Sequence, residues 1–211
     1  MTRFVRAAVF GVTVLATSVP AVAEAQALPI APNVTKPDFT VHVVDGTATV
    51  FAAQIVSYYE LRRRLEAGLP AVIVTDDVRQ IRSGTRALAK AIRLARVGAV
   101  EGEFFTAEAG VEFRRGLALV MTAKVWAVIM EDNPGAFGYE IDGSYPGGTT
   151  RSTMPGIVLA QLPHLPDGIE FRFAGPHLIL YDVRANTIMD RLPDAIECTD
   201  RCDHEVLRKT R

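Results

Sequence analysis

The chain has 211 residues, of which 49% are hydrophobic and 22% charged, and its formal net charge at pH 7 is −1. This composition is typical of a globular protein, and it excludes a disordered chain, a collagen-like repeat and a strongly basic nucleic-acid binder. Two cysteines are too few for a disulfide-stapled scaffold. A chain of this length buries roughly 70% of the surface of its unfolded state, so its core needs no staples. We therefore expect one medium-sized globular domain or two small ones.

Residues 1–27 have the pattern of a cleavable signal peptide. Arg3 and Arg6 give a positively charged start, residues 7–19 form an uncharged and largely apolar run, and small-x-small cleavage sites follow near Ala23–Ala27. Because a membrane-spanning helix needs about 20 apolar residues, this run is too short to span, although an uncleaved anchor is the alternative. We therefore expect a periplasmic or secreted protein with no transmembrane span after cleavage. Export also disfavours nucleotide-dependent chemistry, and neither GxxxxGKS/T nor GxGxxG occurs, so no cofactor is expected.

Helical periodicity follows an extended, proline-containing lead-in over residues 28–47. Apolar residues at helical spacing predict a unit of three amphipathic helices within residues 48–133. Their expected bounds are about residues 49–67, 75–98 and 106–132, with Thr75 and Thr106 as N-caps.

The following segment, residues 134–197, is predicted to be a small antiparallel αβ unit packed on the helices. Pro155 favours the start of a short helix that ends near Leu162. Apolar runs, the first of them alternating with polar residues, predict a β-hairpin or meander. The expected strands cover residues 169–174, 177–181 and 187–192. The predicted fold class is therefore α+β.

Several short segments resemble an uncharacterised family of exported bacterial proteins. The segments are Gly102–Glu108, Phe113–Arg115, Leu162–Pro166 and Glu170–Phe173. The resemblance covers most of the chain after the leader, and it implies export and a shared fold but no activity. Residues 170–190 are also similar to the C-terminal hairpin of small periplasmic nickel and cobalt homeostasis regulators. That similarity covers a strand–turn–strand pattern, and we transfer no metal function with it.

The most regular feature of the sequence is a row of basic residues on the second predicted helix. The row consists of Arg79, Arg82, Arg86, Lys90 and Arg93. Because they are three or four residues apart, they share one helix face opposite the apolar one. This basic face predicts a binding surface for an anionic envelope surface or an acidic partner protein. A solvated helix face is the alternative, since residues 48–98 carry nine basic and four acidic side chains, and residues 99–211 carry eleven and seventeen.

The C-terminal tail, residues 198–211, is dense in charge and holds both cysteines. In an exported protein, Cys198 and Cys202 are expected to close a small disulfide loop. Two alternatives stay open, namely free or intermolecular thiols and a soft metal site that adds His204. Zinc-type sites take four ligands, only three are local, and no HExxH pair occurs, so no metal site is predicted.

The glycine-rich segment 142–153 is the place where a hydrolase site is considered. Ser152 would be the nucleophile, with His164 as base and Asp182 as orienting acid. No GxSxG elbow occurs, so a loop whose hydroxyls bond the backbone is the preferred interpretation.

The apolar run at residues 117–130, around Trp126, indicates a central core helix or one face of a homodimer. No group of residues in the sequence has the spacing of a known catalytic motif. We therefore expect an exported, non-enzymatic binding or protein-interaction module. A periplasmic metal-handling protein that uses the C-terminal tail, and a small envelope hydrolase, are the alternatives.

Overall fold

The computed structural model describes residues 45–70 and 76–197. The helices are α1 (Asp45–Ala67), α2 (Val78–Ala95), α3 (Ala107–Val120), α4 (Ala123–Glu131) and α5 (Gly156–Leu159). The strands are β1 (Ile169–Ala174), β2 (His177–Asp182) and β3 (Thr187–Leu192). Helices that precede an antiparallel sheet confirm the predicted α+β class. The predicted signal peptide, the Thr75 cap and the tail with Cys198, Cys202 and His204 lie outside the described residues.

The sheet is a three-stranded antiparallel meander in the order β1-β2-β3. Its two faces serve different cores because side chains alternate across a strand. Phe171, Leu178 and Leu180 pack with the helices in the larger cluster. Ile179 and Tyr181 point to the other face, where they pack against aromatic residues of the segment between α4 and α5. The sheet is therefore covered on both faces.

Aromatic side chains join the helices to the sheet. The rings of Phe51 on α1, Phe105 and Phe113 lie 5.1–6.0 Å apart between centroids, and Phe171 on β1 lies 5.9–6.4 Å from each of them. All four are at most 4% exposed. Clusters of this kind combine a large buried apolar area with favourable ring geometry, and so anchor the fold.

The prediction of a single third helix is wrong. The chain leaves the helix at Met121, whose φ of −76° and ψ of 91° are extended, and α4 then begins behind a new N-cap at Thr122. The Thr122 hydroxyl accepts a hydrogen bond of 3.3 Å from the Val125 amide. Within α3, Leu117 is fully buried while Leu119 is 63% exposed, so the apolar run is not one core helix. No proline or glycine interrupts the run, and the periodicity therefore concealed the break.

The other helix boundaries shift by a few residues. Helix α1 begins at Asp45, inside the predicted extended lead-in. Helix α2 is capped by Asp77, whose Oδ1 accepts a 2.8 Å hydrogen bond from the Arg79 amide, and it ends at Ala95, before Gly98. In the described part of the chain, no helix combines the length and the apolar character that crossing a membrane would require.

Candidate functional site

The basic face of α2 lies at the protein surface. All five residues of the row are exposed, namely Arg79, Arg82, Arg86, Lys90 and Arg93. The opposite side of the helix is anchored in the core, where Leu88 and Ile92 are at most 4% exposed. Val78 and Ile81, which the periodicity places on the apolar face, are instead about half exposed, at 54% and 47%. The first turn of α2 is therefore less embedded than the rest.

A cleft of about 510 Å³ brings part of this basic face against a distant segment. Arg82, Thr85 and Arg86 of α2 form one wall. The other wall consists of residues 145–149 together with Arg151 and Asn186. None of these lining residues is acidic. The cleft therefore joins two features that are separate in the sequence, the basic face and the glycine-rich loop.

Arg151 is a member of this site that the sequence analysis missed. Its Nη2 donates a 3.0 Å hydrogen bond to the hydroxyl oxygen of Tyr181. Its guanidinium carbon lies 5.3 Å from the centroid of the Tyr181 ring and 5.8 Å from that of Tyr145. Both distances are within the range of cation–π attraction. These contacts orient the guanidinium at the cleft, and no local pattern in the sequence signals them.

The two tyrosines support Arg151 as neutral phenols. The Tyr181 hydroxyl donates to Oδ1 of Asn186 at 2.6 Å, and the Tyr145 hydroxyl donates to the carbonyl of Thr150 at 2.7 Å. Burial raises the pKa of each phenol above its ordinary value, while the positive charge of Arg151 opposes the shift. Neither phenol therefore ionises near neutral pH, and neither neutralises the cations of the cleft.

The loop at the mouth of the cleft presents bare backbone. The Thr149 amide donates to the Pro146 carbonyl at 3.4 Å, which closes a turn through Gly147 and Gly148. Gly148 has a φ of +78°, where glycine is strongly preferred. A Cβ built on Gly147 would meet no other atom within 4 Å, and its φ lies outside the left-handed region. Neither packing nor backbone conformation therefore explains the glycine at position 147.

Elsewhere, charged side chains are buried together with partners. Asp182 is fully buried; its Oδ2 accepts from the Tyr58 hydroxyl at 2.8 Å, and Nη1 of Arg62 lies 3.4 Å from the same oxygen. Its Oδ1 accepts from the amides of Arg184 and Ala185 at 2.9 and 3.0 Å. Burial raises the pKa of Tyr58 well above its ordinary value, and the adjacent carboxylate adds to the shift. Asp182 thereby ties α1 to the turn between β2 and β3.

A second, partly buried cluster surrounds the end of α2. Nε of Arg96 donates to Oδ2 of Asp142 at 2.8 Å, and its Nη2 donates to Oε2 of Glu103 at 3.1 Å. The guanidinium also lies 5.2 Å from the ring centroids of Tyr58 and Phe104. Burial raises the pKa of Asp142, and the positive charge of Arg96 opposes that shift. Arg96 therefore serves to hold the fold together, although it follows the basic face directly.

Asp190 is the most heavily hydrogen-bonded carboxylate that the structure describes. It is fully buried, and it accepts hydrogen bonds of 2.7–2.8 Å from four backbone amides. The donors are the amides of Gly102, Phe104, Phe105 and Arg191. The carboxylate thus fixes the segment that leads into α3 against β3.

The three residues of the considered hydrolase site make separate contacts. The Ser152 hydroxyl is fully buried and accepts a 2.8 Å hydrogen bond from the Phe173 amide. His164 is exposed, and Asp182 is engaged with Tyr58 and Arg62 as described above. No hydrogen bond within the described ranges joins any two of Ser152, His164 and Asp182. The interpretation of Ser152 as a residue that satisfies the backbone therefore accounts for its contacts.

Neither the side chains of the described residues nor the comparisons with known proteins point to a metal site or to a family. Within residues 45–70 and 76–197, no group of three histidine, cysteine, aspartate or glutamate side chains is arranged to hold a metal ion. No protein-family model, no curated protein and no solved structure matches the chain. Function is therefore inferred from the residues of the cleft and their geometry.

Proposed function

We propose that this protein is an exported bacterial envelope protein without a catalytic role, which binds an anionic ligand or partner on the exposed face of α2. The observation that carries this proposal is the cleft that Arg82, Arg86 and Arg151 line together. In the part of the chain that the structure describes, none of the ion pairs involves these three arginines. The positive charges of these three arginines are thus available to an anionic ligand or partner.

The gathering of these cations favours binding over a merely solvated surface. Like charges repel one another, so three guanidinium groups that line one cleft are costly unless solvent or an anion compensates them. An anion that enters relieves this repulsion and is attracted by all three. Arginine also presents planar, bidentate donor sets that suit carboxylate, sulfate and phosphate groups.

Export is part of the proposal, and the signal-peptide pattern of residues 1–27 supports it. An envelope location offers anionic surfaces and acidic partner proteins, and a homodimer stays a prediction. Expression of the full gene product in a Gram-negative host, followed by fractionation and intact-mass measurement, tests this part. We expect a periplasmic product that has been cleaved near Ala23–Ala27. A full-length product in the cytoplasmic fraction would contradict export.

The binding part is tested by salt elution from a heparin resin, which serves as a generic polyanion. We expect the protein to be retained at low salt and the double variant Arg82→Glu/Arg86→Glu to elute much earlier, because the charge at the cleft is reversed. The matched control is Arg64→Glu/Lys124→Glu, which changes the net charge equally at exposed positions away from the cleft. Equal losses in both variants would show that net charge alone governs binding, and would contradict the proposal.

A further inference from the structure

The geometry of the cleft points to a narrower class of ligand. We propose that the cleft binds a phosphate monoester carried by a polyhydroxyl molecule, that is, a sugar phosphate. This inference rests on the proposed function, because it uses Arg82 and Arg86 as anion-binding residues. It adds Arg151, the bare loop at Gly147, and the polar side chains around them.

The charge of the cleft suits a dianion. Its lining holds three arginines and no acidic residue. A phosphate monoester carries nearly two negative charges at neutral pH and offers three terminal oxygens. Arg82 and Arg86 are four residues apart on one helix face, so they approach such a group from one side, and Arg151 approaches it from the other wall. A carboxylate has one charge and two oxygens in one plane, so it would satisfy this arrangement less fully.

The third cation is held in place before a ligand arrives. Arg151 donates to the Tyr181 hydroxyl, which donates in turn to Oδ1 of Asn186, and the Asn186 amide nitrogen donates to the Tyr145 carbonyl at 3.3 Å. A side chain that is already oriented loses less conformational freedom on binding than a free one. The network therefore makes Arg151 a strong donor for an oxyanion, although the side chain is exposed.

The loop glycines allow an anion to approach the backbone. Gly148 is required by its positive φ, but Gly147 has no such constraint and no neighbour that a methyl group would meet. The open space at Gly147, beside the cationic cleft, leaves room for a ligand to come close to the chain there. Backbone amides in glycine-rich turns are common donors to phosphate oxygens.

The remaining space accommodates a sugar. A cleft of about 510 Å³ falls within the range of roughly 300–1,000 Å³ that holds small organic ligands, and it exceeds what an isolated phosphate would fill. Thr85, Thr149 and Asn186 line it with hydroxyl and amide groups, which hydrogen-bond to sugar hydroxyls. The guanidinium of Arg151 lies against the ring of Tyr145, the aromatic side chain in the lining, so stacking of a nucleobase on that ring is disfavoured.

Isothermal titration calorimetry with glucose 6-phosphate tests the proposal on the full chain. We expect saturable binding, and at least about tenfold weaker binding of glucose and of inorganic phosphate, because each lacks half of the contacts. Arg151→Met should weaken glucose 6-phosphate binding about tenfold, and Gly147→Ala several-fold. Arg64→Met is the control and should bind as the parent does. Thermal unfolding followed by circular dichroism should show that Gly147→Ala and Arg64→Met keep the parent stability.

Several results would overturn the proposal. Equal affinity for inorganic phosphate would show that the sugar makes no contact, and equal affinity for glucuronate would show that the site does not distinguish a phosphate from a carboxylate. An Arg151→Met or a folded Gly147→Ala variant with parent affinity would remove these residues from the site. If glucose 6-phosphate fails to bind while heparin retention still depends on Arg82 and Arg86, this inference fails and the proposed function stands. If glucose 6-phosphate fails to bind and heparin retention does not depend on Arg82 and Arg86, both this inference and the proposed function fail.

A phosphate monoester can come from a free sugar phosphate or from the end of a longer saccharide. Maltoheptaose with a terminal phosphate distinguishes these sources in the same titration. Affinity equal to that for glucose 6-phosphate assigns the site to chain ends, and exclusion of the longer molecule assigns it to the free sugar phosphate. Either result supports phosphate monoester recognition, provided that both unphosphorylated sugars bind at least tenfold more weakly.

Discussion

Two groups of charged residues in this protein differ in their surroundings. Arg62, Arg96, Asp182 and Asp190 lie in the interior, where each is matched by an opposite charge or by backbone groups. Arg82 and Arg86 are exposed beside Arg151 and take part in none of the ion pairs of the described residues. Arg96 directly follows α2, so position along this part of the chain does not decide whether an arginine is buried or exposed. The groups that surround each arginine decide whether it holds the fold or is free to bind.

This difference separates residues that hold the fold from residues that are free to bind. Removing one partner of a buried pair leaves an uncompensated charge in the interior and is strongly destabilising. Removing an exposed cation that has cationic neighbours costs little and relieves repulsion. Stability measurements on matched variants therefore test the assignment without any knowledge of the ligand.

The largest effect is expected for Asp190→Ala. This change leaves four backbone amides without their acceptor, two of them buried and two partly buried, and it should lower the free energy of unfolding by about 4 kcal/mol. Urea denaturation followed by circular dichroism measures the change. Glu131→Ala, at an exposed position on α4, is the control and should stay within about 0.5 kcal/mol of the parent. A loss below 1 kcal/mol in Asp190→Ala would show that water replaces the carboxylate.

Arg62→Met should have the next largest effect. It keeps the aliphatic stem but leaves Asp182 buried without its cation, and it removes the 2.7 Å hydrogen bond from Nη2 to the Asp167 carbonyl. We expect a loss of about 3 kcal/mol in the free energy of unfolding. Arg64→Met, two residues along α1 and exposed, should change it by less than about 0.5 kcal/mol. Similar losses in the two variants would contradict a specific role for the buried pair.

A smaller effect is expected at His177, which is intermediate between the two groups. Its Nδ1 accepts a 3.0 Å hydrogen bond from the Asp194 amide, and burial, followed by the charge of Arg191, lowers the pKa of the imidazole. A base whose pKa is lower in the folded state stabilises the protein above its unfolded pKa, near 6.5. This contribution is lost as the pH falls through the folded value. The loss should be small because the group is partly solvated.

The His177→Asn variant isolates this contribution. The parent should lose more stability than the variant between pH 7 and pH 5, as measured by urea denaturation at each pH. Other groups titrate over the same range in both proteins, so the difference between the two profiles is the quantity of interest. Parallel profiles would show that the imidazole pKa is the same in the folded and unfolded states.

The smallest effect is expected for Arg82→Gln/Arg86→Gln. Because these side chains have no acidic partner in the described structure, their replacement should leave the free energy of unfolding within about 0.5 kcal/mol of the parent, or raise it slightly. The measurement is the same denaturation curve. A loss above 1 kcal/mol would show that the arginines hold the fold, and would remove the basis for an anion site.

Much of the local structure could be predicted from the sequence because it depends on neighbouring residues. The alternation of Phe171 and Phe173 with polar residues identified β1, and the spacing of Leu88 and Ile92 identified the buried side of α2. The break at Thr122 was missed, since an N-cap threonine inside an apolar run has no distinctive neighbours. The N-cap of α2 is Asp77, whereas the sequence predicted Thr75. Both residue types serve as N-caps, so the sequence does not distinguish between them.

The sequence by itself determined the α+β class, the strands and the spacing of the basic row, because period and composition are properties of short segments. Only the tertiary structure decided which charges are buried in pairs and which share a cleft. Arg151 reaches the cleft because Tyr181 of β2 and Tyr145 of a loop hold it opposite Arg82 of α2. Arg82, Arg151 and Tyr181 are far apart along the chain, and their proximity arises from the packing of the loop that contains Tyr145 on one face of the sheet. Periodicity carries no information about contacts of that range.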